Sequence, residues 1–223
     1  MNSSRREEEL AGRLAEVRDE LAAAASSVGR TPEEITLIVV TKNFPVSDAQ
    51  ILFDLGERNF GENRDNEGAE KSKILPDSVT WHFQGQVQGK KIKSIAEWAN
   101  VVHSIDSLEH AAKFNNYPGL EYFIQVSMEP AAQHRGGVPI DSLSDFYSHA
   151  VTLANLPVQG LMVVPPLGSD PSTVFTEVAA KGRELGLNRF SMGMSGDFRE
   201  AIAAGATHIR VGSSILGSRV TPA

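Results

Sequence analysis

The 223-residue chain reads as an α/β protein, a single (β/α)8 TIM-type barrel with an extra N-terminal helix. Three observations predict this. Eight short apolar runs alternate with helix-like segments, the pattern of a parallel sheet with helical crossovers. No linker, low-complexity tract or short repeat interrupts them. Polar residues suited to chemistry recur just after the apolar runs, where such barrels place their sites. An open doubly wound sheet is the alternative, but no Gly-x-Gly-x-x-Gly follows any run. One domain over 1–223 is expected, with the helix in 1–30 and the barrel in 35–218.

The elements follow in order. Residues 4–28 predict a helix: Leu10, Leu14, Val17, Leu21 and Ala24 recur at helical spacing, and Ser3 or Ser4 can cap it. The run Glu7-Glu8-Glu9 suits the positive end of its dipole. Strands are expected at 35–41 (ITLIVVT), 57–61 (ERNFG), 79–83 (VTWHF), 100–104 (NVVHS), 121–127 (EYFIQVS), 158–164 (VQGLMVV), 189–193 (RFSMG) and 207–212 (THIRVG). Helices fill 47–55, 63–74, 89–99, 107–115, 141–154, 171–186 and 197–204.

Composition narrows the function classes. A net charge of −7 argues against a general nucleic-acid or anionic-membrane binder. Zero cysteines exclude disulfides, thiolate metal sites and cysteine nucleophiles. The start, MNSSRREEEL, is too charged for a signal peptide, and no apolar run nears the roughly 20 residues of a membrane helix. A cytoplasmic protein with no nucleic-acid or membrane partner is expected. Histidines 82, 103, 110, 134, 149 and 208 lack metal-ligand spacing, and His103 and His208 read as core or layer residues. Lys90, Lys91 and Lys93 read as a solvated helix face.

Strand one ends on Lys42. Ile38, Val40 and Lys42 share one face by strand parity, so the amine should emerge at the barrel mouth above two apolar residues. The stretches Ser191-Met192-Gly193-Met194-Ser195-Gly196-Asp197 and Arg210-Val211-Gly212-Ser213-Ser214 put glycines and hydroxyls after strands seven and eight, the usual phosphate site of such barrels. Glycine lets backbone N–H groups approach an anion, and a helix starting at Asp197 would add its positive end. Ordinary tight turns with Asp197 as an N-cap would also explain them.

An amine facing a phosphate cradle suggests a phosphorylated carbonyl compound. A Schiff-base aldolase would carry its lysine on a later strand, and strand six has none. A phosphosugar isomerase needs a carboxylate base at a strand end, and only Glu62 is offered. Pyridoxal 5′-phosphate fits best.

The ordered motifs VVTKNFP, FGEN, WHFQGQVQGKK, SIDSL, RGGV, GLMVV and SMGMSGDFREAIAAGATHIRVGSSILG resemble the pyridoxal 5′-phosphate homeostasis proteins. That family is related to the alanine racemase N-terminal barrel (fold type III). The resemblance covers residues 10–218. It implies that Lys42 forms the Schiff base and that Ser191, Met192, Gly193, Gly212 and Ser213 cradle the phosphate. It also implies that Arg210 faces the pyridine nitrogen and that Asn63 and His82 lie near the cofactor. Departures are Asn43-Phe44 for a more polar pair, Gln84 and Gln86 for apolar and proline residues, Lys90 for asparagine, and Ser213 for threonine.

An arginine cannot protonate the ring nitrogen, which weakens the cofactor as an electron sink. A racemase also needs a second acid/base group, and Tyr117, Tyr122 and Tyr147 have no evident claim to that role. The strand-eight motif ends near the C-terminus, so no second domain is expected. The resemblance therefore implies a non-catalytic carrier or reservoir in vitamin B6 and amino-acid homeostasis, handing cofactor to apo-enzymes, and a monomer. A pyridoxal-phosphate-dependent amino-acid racemase or lyase is the alternative.

Overall fold

Each β-branched or aromatic run is a strand in the computed structural model, which describes residues 3–129 and 136–217. In chain order the barrel strands are β1 (Thr36–Val40), β2 (Asn59–Glu62), β3 (Thr80–Phe83), β4 (Val101–Ile105), β5 (Glu121–Ser127), β6 (Val158–Val163), β7 (Arg189–Met194) and β8 (His208–Val211). All neighbours pair in parallel, and β5 pairs with both β4 and β6, which closes the barrel. A further short strand, Val138–Pro139, adds to the outer end of β5. The predicted strand bounds shift by one or two residues only.

The helices are α1 (Ser3–Ser27), α2 (Val46–Asp54), α3 (Asp65–Lys71), α4 (Ile92–Trp98), α5 (Leu108–Phe114), α6 (Leu143–Thr152), α7 (Pro171–Glu184), α8 (Phe198–Ala204) and α9 (Ser213–Leu216). Three expectations change. The helix expected over 63–74 runs only Asp65–Lys71; it starts late because Arg64 is extended (φ −121°, ψ 126°). Single 3-10 turns, Gly89–Lys91 and Ile140–Ser142, take the first residues expected in α4 and α6. Helix α9 was not expected at all; four residues are too few to show a period. Asp197 stands at the N-cap position of α8, but its carboxylate accepts the Met194 N–H at 2.6 Å instead of capping. His134, Arg135 and Ser218 lie outside the described residues.

Helix α1 buries Leu10, Leu14, Val17, Leu21 and Ala25. Ala25 is fully buried and Ala24 half-buried against the same core, since a 3.6-residue step from Leu21 falls between them. Arg6 ties this helix to the barrel top, donating to Asp48 Oδ2 of α2 at 2.6 Å and to the Leu216 carbonyl of α9 at 3.0 Å.

Strand parity divides the core. Leu37, Val39, Phe60, Trp81 and Phe83 face the helices and join the main apolar cluster. The inward face is partly polar. Val101, Phe123 and Met162 form a small apolar plug, and His82, His103, His208, Ser191 and Arg210 are buried beside it.

These inward polar groups are joined in a chain whose direction its ends dictate. Arg210 can only donate, and its Nη1 reaches Ser191 Oγ at 2.9 Å. Ser191 Oγ lies 2.8 Å from His103 Nδ1, His103 Nε2 lies 2.9 Å from His82 Nδ1, and His82 Nε2 lies 3.1 Å from Asn59 Oδ1. Running from the guanidinium, the serine hydroxyl donates onward and both imidazoles carry their proton on Nε2. Burial pushes the His82 and His208 pKa values down to about 3, and His103 well below its usual value, so the chain is neutral apart from Arg210. His103 also stacks on Phe123, 4.7 Å between centroids and 2° from parallel.

Candidate functional site

Above this floor, at the carboxyl ends of the strands, lies a cavity of about 650 Å3, within the ordinary range for small-molecule sites. Val40, Lys42 and Phe44 line it from the β1 side, and Asn63 and Gln84 from the loops after β2 and β3. Met162 comes from β6 and Val164 follows it, and Met194, Ser195 and Gly196 come from the end of β7 and the loop beyond. Arg210, Gly212, Ser213 and Gly217 complete the wall.

The fold explains why each group is there. Lys42 shares its cavity with Val40, as the parity of β1 requires. The strand has already ended, and Lys42 sits in a turn closed by Phe44 N–H to the Thr41 carbonyl at 3.0 Å. Asn43 takes φ +64°, a conformation asparagine tolerates better than most residues. Half-buried Lys42 is thus presented from a rigid corner.

The adjoining wall, carried by β8 beside β1 and by β7 beyond it, is backbone-rich. Met194 N–H is fixed on the Asp197 carboxylate, which sets the curve of Ser195 and Gly196. Ser214 N–H reaches Ser195 Oγ at 3.4 Å, so the loops after β7 and β8 touch. A Cβ on Gly196 would meet nothing within 4 Å, and one on Gly212 would crowd the Val40 carbonyl at 3.2 Å.

Arg210 enters the cavity from β8, level with Ile38 of β1. Its Nη1 donates to the Ser191 carbonyl at 2.5 Å and to Ser191 Oγ, and its Nη2 to the Val163 carbonyl at 2.9 Å. Three of the five N–H donors are therefore committed. Among the described residues the Nε–H and one Nη2–H have no protein acceptor. Burial lowers the guanidinium pKa to about 10, still a full charge near neutrality. Two further polar atoms beside the cavity are buried and unpartnered, Asn63 Oδ1 and Gln84 Nε2.

Of the residues expected from the sequence, Lys42, Asn63, Arg210, Gly212 and Ser213 converge on this cavity. Ser191, Met192, Gly193 and His82 do not line it. Ser191 is fully buried in the floor, and Met192 points outward into the helix-facing core. Gly193 (φ +91°) lies so close to α8 that a Cβ would stand 2.6 Å from Ala201 Cβ. The register of β7 on β8 shifts between Ser191 and Met194, which carries Ser195 and Gly196 to the mouth in their place. His82 lies one layer too deep. Gln84, two residues further along the same strand face, reaches the cavity instead.

Phe44 and Gln84 were not expected as site residues, whereas Met194, Ser195 and Gly196 belong to the glycine-serine stretch after strand seven that the sequence offers as a phosphate site. Strand parity was the available signal for Gln84. The motifs SIDSL and RGGV do meet: Asp106 Oδ2 accepts Gly137 N–H at 3.1 Å. Tyr122 is buried, its hydroxyl on the Phe114 carbonyl at 3.2 Å, and burial raises its pKa to about 12. Lys90, Lys91 and Lys93 are exposed. Among the described residues there is no cluster able to hold a metal ion, and no helix is long and apolar enough to cross a membrane.

Comparison with known proteins gives a consistent picture. Residues 14–220 match the family model described as alanine racemase, N-terminal domain. The pyridoxal phosphate homeostasis protein of Escherichia coli K12 is 35% identical over 229 residues, covering 95% of this chain and 97% of its own. That of Corynebacterium glutamicum is 38% identical over 207 residues, covering 85% and 93%. The structure of PipY from Synechococcus elongatus PCC7942 with PLP bound superposes with a TM-score of 0.80 at 31% identity, covering 93% of this chain and 100% of that one. An alanine racemase of Clostridium difficile 630 shares the fold at TM-score 0.68 and 13% identity, this chain spanning 57% of it.

Proposed function

The chain belongs to the alanine racemase N-terminal-domain family and, within it, to the pyridoxal phosphate homeostasis proteins, and on that premise we propose that it holds pyridoxal 5′-phosphate as a Schiff base on Lys42. In this reading it serves as a non-catalytic carrier or reservoir that passes the cofactor to apo-enzymes. One observation carries the proposal. The cavity lining combines a primary amine from the β1 turn, glycine and serine residues from the loops after β7 and β8 and a charged arginine from β8, and it includes no Asp, Glu, His, Tyr or Cys among the described residues.

The donor set fits the group. Backbone N–H groups and hydroxyls of Ser195, Gly196, Gly212 and Ser213 suit a phosphate, and the bare Gly196 leaves it room to approach. Arg210 presents a charged donor with no acceptor to a ring nitrogen, giving it a hydrogen bond but no proton. Asn63 Oδ1 and Gln84 Nε2 are unsatisfied beside the cavity and can meet polar ring substituents. Apolar Val40, Phe44, Met162 and Val164 would cover the ring and exclude water. When bound, the cofactor supplies an aldehyde that exchanges one primary amine for another.

Two-base racemisation needs a second acid or base facing the lysine. Serine hydroxyls and amides in the lining are poor proton acceptors, which supports carriage over turnover. We place the protein in the cytoplasm as a monomer; the most exposed large apolar side chains among the described residues, Ile74, Leu153 and Leu167, come from three different segments of the chain.

The test is borohydride reduction of the loaded protein followed by peptide mapping, with racemase assays and transfer to an apo-transaminase alongside. The expected result is a phosphopyridoxyl label on Lys42, restored transaminase activity, and no racemisation above that of free cofactor. A label elsewhere overturns the site, and amino-acid turnover well above free cofactor overturns the carrier reading.

A further inference from the structure

Behind the Lys42 turn, on the side of β1 away from the cavity, lies an ionic cluster outside the cavity lining. Thr41 and Glu62 are fully buried, and Lys71 of α3 is 5% exposed. Lys71 Nζ donates to Glu62 Oε1 at 2.5 Å and to the Thr41 carbonyl at 2.8 Å. Thr41 Oγ donates to the same Glu62 oxygen at 2.6 Å. One helical turn before Lys71, Glu67 Oε2 accepts the Asn43 N–H at 2.7 Å and stands 3.9 Å from Lys71 Nζ. The residues immediately before and after Lys42 are therefore both gripped. The Thr41 carbonyl, which closes the turn by accepting from Phe44 N–H, is the same one Lys71 holds.

We propose that Lys71, with Glu62 and Glu67, is a positioning device that sets the Lys42 turn before any ligand arrives. This inference rests on the reading of Lys42 as the attachment point. Stability alone is a poor reason for the cluster, because a buried ion pair gives little net stabilisation over apolar groups of similar size. Rigid geometry gives a reason. Asn43 is held at positive φ and Thr41 at the strand end, so the Lys42 backbone between them has few conformations left. An amine fixed in this way reacts without the ordering cost that a mobile one meets. The cluster also fixes parity: Thr41 is drawn outward toward α3, which directs the next residue inward.

The experiment uses the full chain with Lys71→Met combined with Glu62→Gln, which removes both buried charges together and so avoids stranding one of them. Lys71→Arg is a second, charge-preserving variant. Two readouts are taken. In the protein without cofactor, competitive acetylation with acetic anhydride measures the Lys42 amine directly by mass spectrometry. In the loaded protein, the fraction of bound pyridoxal phosphate that borohydride fixes to Lys42 is compared with the total released by alkali.

For the double variant we expect near-unchanged circular dichroism and total bound cofactor, a fixed fraction at least threefold lower, and altered Lys42 acetylation kinetics. Lys71→Arg should recover part of both. Acetylation and fixation both equal to the parent protein overturn the proposal, as does loss of bound cofactor in strict proportion to lost fold. A parent protein that binds cofactor with no label on Lys42 instead defeats the attachment reading, and the acetylation kinetics still judge the clamp.

Discussion

Replacing Gly193 with alanine perturbs the cradle from behind. The residue has φ +91°, and an added Cβ would lie 2.6 Å from Ala201 Cβ and 2.9 Å from Phe198 Cα, both on α8. The left-handed backbone costs an L-residue about 1–2 kcal/mol, and overpacking a filled contact about 1–3 kcal/mol. Phe198 Cα is main chain and Ala201 has no rotamer to turn, so neither can step aside. The sum is a loss of about 2–5 kcal/mol, a fall in Tm on the order of 5–15 °C for a domain of this length. Urea unfolding of the cofactor-free protein measures it. Gly196→Ala, three residues on, is the internal control. Its Cβ meets nothing within 4 Å, so stability should stay within about 0.5 kcal/mol. Its methyl group would nevertheless occupy space at the cavity wall, and cofactor affinity should fall. Gly193→Ala with parental stability, or Gly196→Ala as destabilising as Gly193→Ala, would refute this division between packing and binding.

Two further outcomes follow from the floor and from α1. The pKa values of His82 and His208 are held near 3 by burial, and that of His103 is also low, against about 6.5 in the unfolded chain. Between those values the unfolded state binds more protons. Stability from these histidines is therefore full above pH 6.5 and falls as pH drops, by about 1.4 kcal/mol per pH unit for each one. Unfolding measured from pH 7 to 5 should show this slope, and His208→Phe should flatten it by roughly one histidine's share; an unchanged slope would contradict the neutral floor. Arg6→Met removes the cation beside buried Asp48 and the donor to the Leu216 carbonyl. A loss of about 1–3 kcal/mol is expected, with faster hydrogen exchange in α9, whereas a stability change near zero would show that this tie does no holding.

The sequence was informative wherever a strand face keeps its period to the end. Lys42 follows Ile38 and Val40 on one face, and the cavity contains it. The parity that put His82 inside also points to Gln84, but a layer cannot be read from periodicity, so the motif WHFQG suggested the deeper residue. Beyond Ser191 the period breaks. The register shifts between Ser191 and Met194, where Gly193 takes φ +91° close against α8, and the cavity-facing positions become Ser195 and Gly196. The Lys71–Glu62 pair was equally hidden, because its meaning depends on α3 crossing behind β1. Helix α9, Ser213–Leu216, is too short to carry a helical period in the sequence.

The most direct test of the central claim is a crystal structure of the protein loaded with pyridoxal phosphate. The account predicts continuous density from Lys42 Nζ to the ring, the ring nitrogen facing Arg210, and the phosphate within hydrogen-bonding distance of Ser195, Gly196, Gly212 and Ser213. A phosphate seated among Lys90, Lys91 and Lys93, or a ring bound with Lys42 directed away from it, would contradict it.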